Sequence, residues 1–422
     1  MNRRHLAIVT LLSLYFFIFG NWILSITSPD EGKNLDASLR MLESKDFIAP
    51  YYNCQPRFEK PPMFYWLTDV FFSVFGVNEF SARLTSGLSA VGVDTLVYLI
   101  GVEVFPELET PILGSLIYMG FIHNWVESRA GVPEMLLTFF MVLGLYLFIK
   151  ERFTLGWVAL AFAFLTKGPV GVLLPCGVYF LWKKSLRFVN LKGLVLFALI
   201  GGSWYLAMLW EFGFAYFYKF FLYENIMRFT GQKSIHPYPF WYYVPIIFVS
   251  SLLFLPAFVW GLKRKGWHSS LNPMLLWFLF VLFFYSVAKN KLHHYVLFLY
   301  PPLALIFAHY VSKRYVKLAT ALGALLILLL SALLVHVENT RRFVPQASQI
   351  VKKEGKEVYF YRTELSALVF YTRRCIPRVD SLKEVPKGSL VVARTKSVKN
   401  LNVKPLFEAY EFDRKFVLFR AE

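Results

Sequence analysis

Charge is scarce in this chain, and the common signatures of nucleotide chemistry are missing from it. Only 17% of its 422 residues are Asp, Glu, Lys or Arg, against about a quarter in soluble domains. There is no GxxxxGK[ST] loop, no GxGxxG turn and no HExxH pair, which argues against a P-loop NTPase, a dinucleotide enzyme or a gluzincin. Cysteine is rare too. Cys54, Cys176 and Cys375 show no CxxC or Cys/His spacing, so neither a thioredoxin-type redox pair nor a zinc ribbon is expected. Cys176 lies in an apolar block and reads as packing. Cys54 and Cys375 fall in segments placed on the same side of a membrane, and a disulfide between them is left open.

Apolar residues are abundant instead. They make up 57% of the chain, aromatics alone 19%, and the mean hydropathy is +0.49. They fall in blocks such as ALGALLILLLSALLVHV and PIIFVSSLLFLPAFVWGL, and a block of about 18 or more apolar residues crosses ~30 Å of hydrocarbon as a helix. The net charge of +18 does not point to nucleic acid, because basic residues cluster in short loops between apolar blocks, as the positive-inside rule requires.

Those clusters set the expected topology. Arg3 and Arg4, Lys150 to Arg152, Lys183 to Arg187, Lys263 to Lys265 and Lys313 to Lys317 mark the cytoplasmic side. Eleven spans are expected between and after them, beginning near Leu6, Leu84, Thr110, Val132, Phe153, Gly168, Leu191, Phe240, Pro273, His293 and Val316. The N-terminus is then cytoplasmic and the C-terminus outside. The N-terminal apolar stretch is too long for a signal peptide and lacks a small-residue cleavage site, so it reads as a retained first span. PPMFYWLTDVFFSVFG is apolar but short, and is expected to lie in the interface or re-enter. Asp94 and Glu103 weaken the signal of the second span.

Residues 1–337 thus read as an all-α membrane domain with two large outer loops, 27–83 and 211–239. Residues 338–422 read as a small α/β domain outside. Its expected strands are EVYFYR, GSLVVARTK and KFVLFR, with a helix at ELSALVFYTRR.

Candidate chemistry lies in the outer segments. Asp30 and Glu31 open the first loop. Adjacent acids suit a general base, and equally the first turn of a helix. Glu59 and Lys60 precede a double proline, which fixes a rigid extended turn. Glu134 is an acid at a span end, costly and often functional there. The second outer loop carries Arg228, Lys233 and His236, and the last outer turn carries Lys289, Lys291, His293, His294 and Tyr295. Lys60, Lys167, Arg228, Lys289 and Lys291 all break the positive-inside pattern. Such a set of cations suits an anion, most naturally a phosphate. Adjacent histidines are poorly spaced for chelation, and His236 has no obvious partner ligand. No histidine-based metal centre is expected, and a divalent cation near Glu59 is left open.

With these residues in hand the chain resembles the membrane glycosyltransferases of GT-C type that include protein O-mannosyltransferases and lipid A aminoarabinose transferases. The resemblance is closest to the bacterial lipid A branch. It rests on PDE at 29–31, FEKPP at 58–62 followed by YW, NEFSARL at 78–84, RAGVPEMLLTFF, LTKGPVG, ENIMRF, HPYPFWYY and AKNKLHHYVLFLYPPLAL, in one order. It implies a bacterial inner-membrane enzyme with an outward-facing active site. Its donor would be a polyprenyl (undecaprenyl) phosphate sugar and the reaction would invert the anomeric carbon. The acceptor would be lipid A or another envelope glycan or protein. Asp30 with Glu31 then matches the catalytic acidic pair. Glu59, Lys60, Arg228, Lys291 and Tyr295 match donor-site positions, and His236 is added as a substrate-binding candidate. Glu134 stands where the family commonly has Asp, and the two histidines after Leu292 depart from its pattern. A protein O-mannosyltransferase-like enzyme, or a flippase of anionic lipid-linked sugars, are the competing expectations. Few polar residues deep in the spans speak against the flippase.

Overall fold

The structure is a computed structural model that describes residues 3–105, 109–232 and 236–422. Lys233, one of the loop cations, lies outside the described residues. The chain forms two compact units.

The first unit comprises Met1–Phe19, Phe58–Phe64 and Arg83–Ile327 and is helical. A helix begins close to each of the eleven expected span starts. Only four helical stretches of the described chain are long and apolar enough to cross a membrane unaided: Glu79–Val104, Leu191–Thr230, Ser269–Val287 and Lys313–Thr340. A fifth is added if Tyr243–Ser251 and Leu255–Lys265, bent by 91° at their break, act as one span. The other helices are shorter because their apolar runs are cut by Pro, Gly or charge. Glu134–Ile149, for instance, has 16 residues and rises about 24 Å. Eleven crossings are therefore not established by helix length alone.

Asp94 accepts hydrogen bonds from Ser13 Oγ at 2.8 Å and from Ser115 Oγ at 2.9 Å, which offsets the cost of a buried acid within an apolar bundle. The run after FEKPP forms a helix, Met63–Phe75, of 13 residues, too short to span. The second outer segment is largely helical. Leu191–Phe217 contains a non-helical glycine, Gly213 (φ 56°, ψ −140°), which ends one helix and starts another. That second helix continues as a π-helix over Tyr218–Met227.

The second unit comprises Gly20–Arg57, Tyr65–Ala82 and Leu328–Glu422. Its helix Asp30–Ser44 packs on the helix Ser366–Thr372. Gly32 permits the approach, since a Cβ there would lie 2.5 Å from the Ala367 backbone nitrogen. A two-residue hairpin joins β1 (Tyr51–Tyr52) to β2 (Gln55–Pro56). Its turn residues Asn53 and Cys54 both have positive φ, 49° and 63°, the pattern of a type I′ turn. Asn53 Nδ2 donates to the Ile376 carbonyl at 2.9 Å and its Oδ1 accepts from Ile376 N at 2.7 Å. Next to this pair Cys54 and Cys375 form a disulfide.

The remaining strands are β3 (Val358–Tyr361), β4 (Arg378–Val379), β5 (Leu390–Arg394), β6 (Pro405–Glu411) and β7 (Arg414–Arg420). They form one mixed sheet in the order β4-β3-β5-β7-β6, with β3 parallel to β4 and β5 and the rest antiparallel. Val358 to Tyr361 and Leu390 to Arg394 are the strands read from EVYFYR and GSLVVARTK. In β5, Leu390, Val391, Val392 and Ala393 are all buried, as befits a central strand covered on both faces. Arg342 ties this region together. Its fully buried guanidinium donates to Glu411 Oε1 at 2.9 Å, to Glu338 Oε2 at 3.0 Å, and to the Ser25 and Ile26 carbonyls at 2.8 and 2.7 Å.

Candidate active site

The charged centre of the first unit is Glu134. It is the first residue of the helix Glu134–Ile149, where the N-terminal end of the helix dipole favours an anion. The partner helix Phe153–Lys167 ends on a cation, Lys167, where the dipole favours positive charge. These two helices pack on each other, so both dipoles support the ion pair between their ends. Gly168 closes the second helix at φ 77°, a conformation a side chain would strain, and its N–H returns to Phe164 O at 2.8 Å.

Three nitrogens converge on one carboxylate oxygen. Glu134 Oε1 lies 2.8 Å from Lys167 Nζ, 3.3 Å from Lys60 Nζ and 3.4 Å from His294 Nε2. The side chain of Glu134 is 3% exposed, whereas Lys60 retains 25%. Lys60 therefore reaches solvent and the acid does not. Glu134 Oε2 is buried with no hydrogen-bond partner among the described residues. A buried carboxylate oxygen left unmatched is costly, and it is a natural acceptor for a substrate O–H or N–H. Lys167 Nζ also sits 4.2 Å above the Tyr295 ring, a cation–π arrangement. Lys60, Lys167 and Glu134 together carry one surplus positive charge.

FEKPP holds Lys60 in place through its neighbours. Phe58 packs edge-on against Phe212 and Tyr216, with centroids 4.9 and 5.7 Å apart, and Pro61 and Pro62 are buried. Glu59, half-buried, separates Phe58 from Lys60.

The other predicted donor-site cations are engaged differently. Arg228 Nη1 donates to Glu224 Oε2 at 2.6 Å, and Lys219 contacts Glu224 Oε1 at 3.1 Å, while Arg228 Nε is buried without a hydrogen-bond partner. Lys291 is buried, and its ammonium donates to the Tyr238 carbonyl at 3.2 Å and to the Ala288 carbonyl. Burial, with Lys289 nearby, pushes it below the ordinary lysine range. His236 and Lys291 are brought together: Lys291 N donates to His236 O at 3.1 Å, and His236 N donates to Asn290 Oδ1 at 3.0 Å.

In the second unit the acidic pair divides. Asp30 is exposed at the start of its helix. Glu31 is buried, and its Oε2 accepts from both the N–H and the Oγ1 of Thr27 at 2.8 Å. Glu31 thus ties down the entry to the helix, and Asp30 is the exposed acid of the pair.

A second group was not foreseen. His123 and Glu127, one turn apart on the helix Ile122–Glu127, meet His293. Glu127 Oε1 lies 3.1 Å from His293 Nδ1 and 3.6 Å from His123 Nε2. The adjacent histidines therefore serve different acids, His293 facing Glu127 and His294 facing Glu134. The i,i+4 spacing of His123 and Glu127 was the available sequence signal.

The chain is similar to known proteins over most of its length. Residues 32–227 match the dolichyl-phosphate-mannose-protein mannosyltransferase family. A protein of Aquifex aeolicus whose function is uncharacterised is 51% identical over the full length of both chains. The undecaprenyl phosphate-alpha-4-amino-4-deoxy-L-arabinose arabinosyl transferase of Pectobacterium atrosepticum is 30% identical over 336 residues, 74% of this chain. The chain spans about three fifths of that relative's length, 60%. The fold is that of ArnT from Cupriavidus metallidurans, solved bound to undecaprenyl phosphate. The two superpose with a TM-score of 0.80 over 98% of this chain and 97% of that one, at 18% identity. The chain belongs to this family of multi-pass membrane glycosyltransferases.

Proposed function

We propose that this protein transfers a sugar from a polyprenyl monophosphate to an envelope acceptor, lipid A or another glycan or protein, on the outer face of the bacterial inner membrane. The observation that carries the reading is the Lys60–Glu134–Lys167 cluster. Cleavage of the C1–O bond turns a phosphodiester with one negative charge into a polyprenyl phosphate with two. A preorganised site with one surplus positive charge stabilises that leaving group more than it stabilises the donor, which is the condition for catalysis. The acceptor oxygen forms the new bond to C1 from the opposite face, with inversion. Asp30 takes the proton when the acceptor is a hydroxyl, and only positions it when the acceptor is already a phosphate. The open Oε2 of Glu134 accepts a hydrogen bond from the sugar or acceptor. Arg228 and Lys291 steady the donor from the opposite segment once their present partners yield. No divalent ion is required for a monophosphate donor in this scheme.

The membrane arrangement belongs to the same proposal: eleven crossings, N-terminus cytoplasmic, sheet region periplasmic. The names of the relatives support an undecaprenyl carrier and an aminoarabinose-type sugar. The deciding test offers the purified protein, in lipid, a labelled polyprenyl-phosphate sugar and separately the matching nucleotide sugar, with envelope extract as acceptor. Label should pass from the lipid donor. Incorporation from the nucleotide sugar alone would overturn the reading.

A further inference from the structure

We infer that His123, Glu127 and His293 form a binding site for a zinc-class divalent transition metal. The three donor atoms stand at tetrahedral spacing. His123 Nε2 and His293 Nδ1 are 3.2 Å apart, His293 Nδ1 and Glu127 Oε1 are 3.1 Å apart, and His123 Nε2 and Glu127 Oε1 are 3.6 Å apart. An ion with ligand bonds of about 2.0–2.1 Å requires donor separations of about 3.3 Å in a tetrahedron, so one ion meets all three with little movement.

Local structure prepares the ligands. His123 and Glu127 lie four residues apart on one short helix, which puts both side chains on one face. The far nitrogen of His123, Nδ1, is 2.8 Å from the Tyr300 hydroxyl. A proton held on Nδ1 by that contact leaves the Nε2 lone pair facing the cluster, the usual outer-shell device for a metal-binding imidazole. His123 and Glu127 are buried, whereas the His293 side chain is 51% exposed. An ion therefore has a route in past His293.

The donor set selects the ion. Two imidazoles and one carboxylate suit zinc and its neighbours, while magnesium and calcium prefer oxygen. Binding would fix His293, and with it the adjacent turn that holds His294 against Glu134. The inference stands apart from the donor and acceptor chemistry above, since it concerns occupancy alone.

The full chain, carrying no histidine tag and reconstituted in lipid discs, is stripped with chelator and dialysed against Zn2+ or Co2+. Metal content is measured by mass spectrometry, and the Co2+ form by visible absorption. The expected result is one metal per chain with the intense bands of tetrahedral cobalt. His293→Ala, at the exposed ligand, should keep the circular dichroism of the parent and bind at least ~10-fold more weakly. His268→Ala, a histidine elsewhere in the chain, should bind as the parent does. Glu127→Gln gives a second reading, since it keeps shape and removes the charged ligand. Substoichiometric metal in the parent, or unchanged affinity in folded His293→Ala, overturns the site.

Discussion

Lys60 and Lys167 share a single atom, Oε1 of Glu134, at 3.3 and 2.8 Å. Two ammonium groups drawn to one oxygen, with the second oxygen unmatched, form a unit rather than two separate ion pairs. Lys167→Met and Glu134→Gln should therefore be non-additive. A double-mutant cycle on kcat/KM for the lipid donor is expected to give a coupling of about 1–3 kcal/mol. Additive losses would show that the two residues act independently.

The division of the acidic pair gives a sharper contrast. Asp30→Asn should leave folding intact and lower turnover by about 10²–10⁴-fold if the acceptor is a hydroxyl. Glu31→Gln should act first on stability, because it weakens two hydrogen bonds to Thr27. Thermal unfolding and turnover measured side by side check this. A Glu31 variant with normal stability and no turnover would reverse the assigned roles.

Lys60→Ala, Arg228→Ala and Lys291→Ala should each reduce kcat/KM for the donor at least tenfold, since a charge-assisted hydrogen bond contributes about 1.5–3 kcal/mol. Lys60, already reaching solvent, should affect KM most. If all three retain parental kinetics, the phosphate binds elsewhere.

Replacing Cys54 and Cys375 by serine should lower the thermal midpoint of the purified protein, by an amount equivalent to about 2–5 kcal/mol. The Asn53–Ile376 hydrogen bonds remain and limit the loss. An unchanged midpoint under oxidising conditions would mean that the bond does not form in the cell.

Membrane sidedness is open to direct chemical reading. Ser381→Cys in an otherwise cysteine-free chain should react with a membrane-impermeant maleimide in cells whose outer membrane is permeabilised. Protection until the inner membrane is broken would place the sheet region in the cytoplasm.

Much of this was legible in the residues. Apolar blocks and basic clusters located the helices, since both follow from transfer energetics that act locally along the chain. EVYFYR, GSLVVARTK and KFVLFR became β3, β5 and β7 because their β-branched and aromatic residues suit a packed sheet. The edge strand β6, Pro405–Glu411, was missed, as it opens on proline and carries two glutamates. Lys60 and Glu134 were visible as charges out of place. Their partnership was not, because 74 residues separate them and pairing at that range depends on helix packing. His123 and Glu127 were passed over for a similar reason: their third partner lies 170 residues beyond His123.

Gly32 sits where the Asp30 helix touches Ser366 and Ala367, and the sheet region, the disulfide and Arg342 all belong to the same unit. The terminal α/β region is therefore not a module that can be exchanged, trimmed or inherited separately from the first loop. A relative with a different C-terminal region must support its own acidic helix by other means. Sequence drift in Ser366–Thr372 is constrained by a residue more than three hundred positions away. The two segments evolve under one selection.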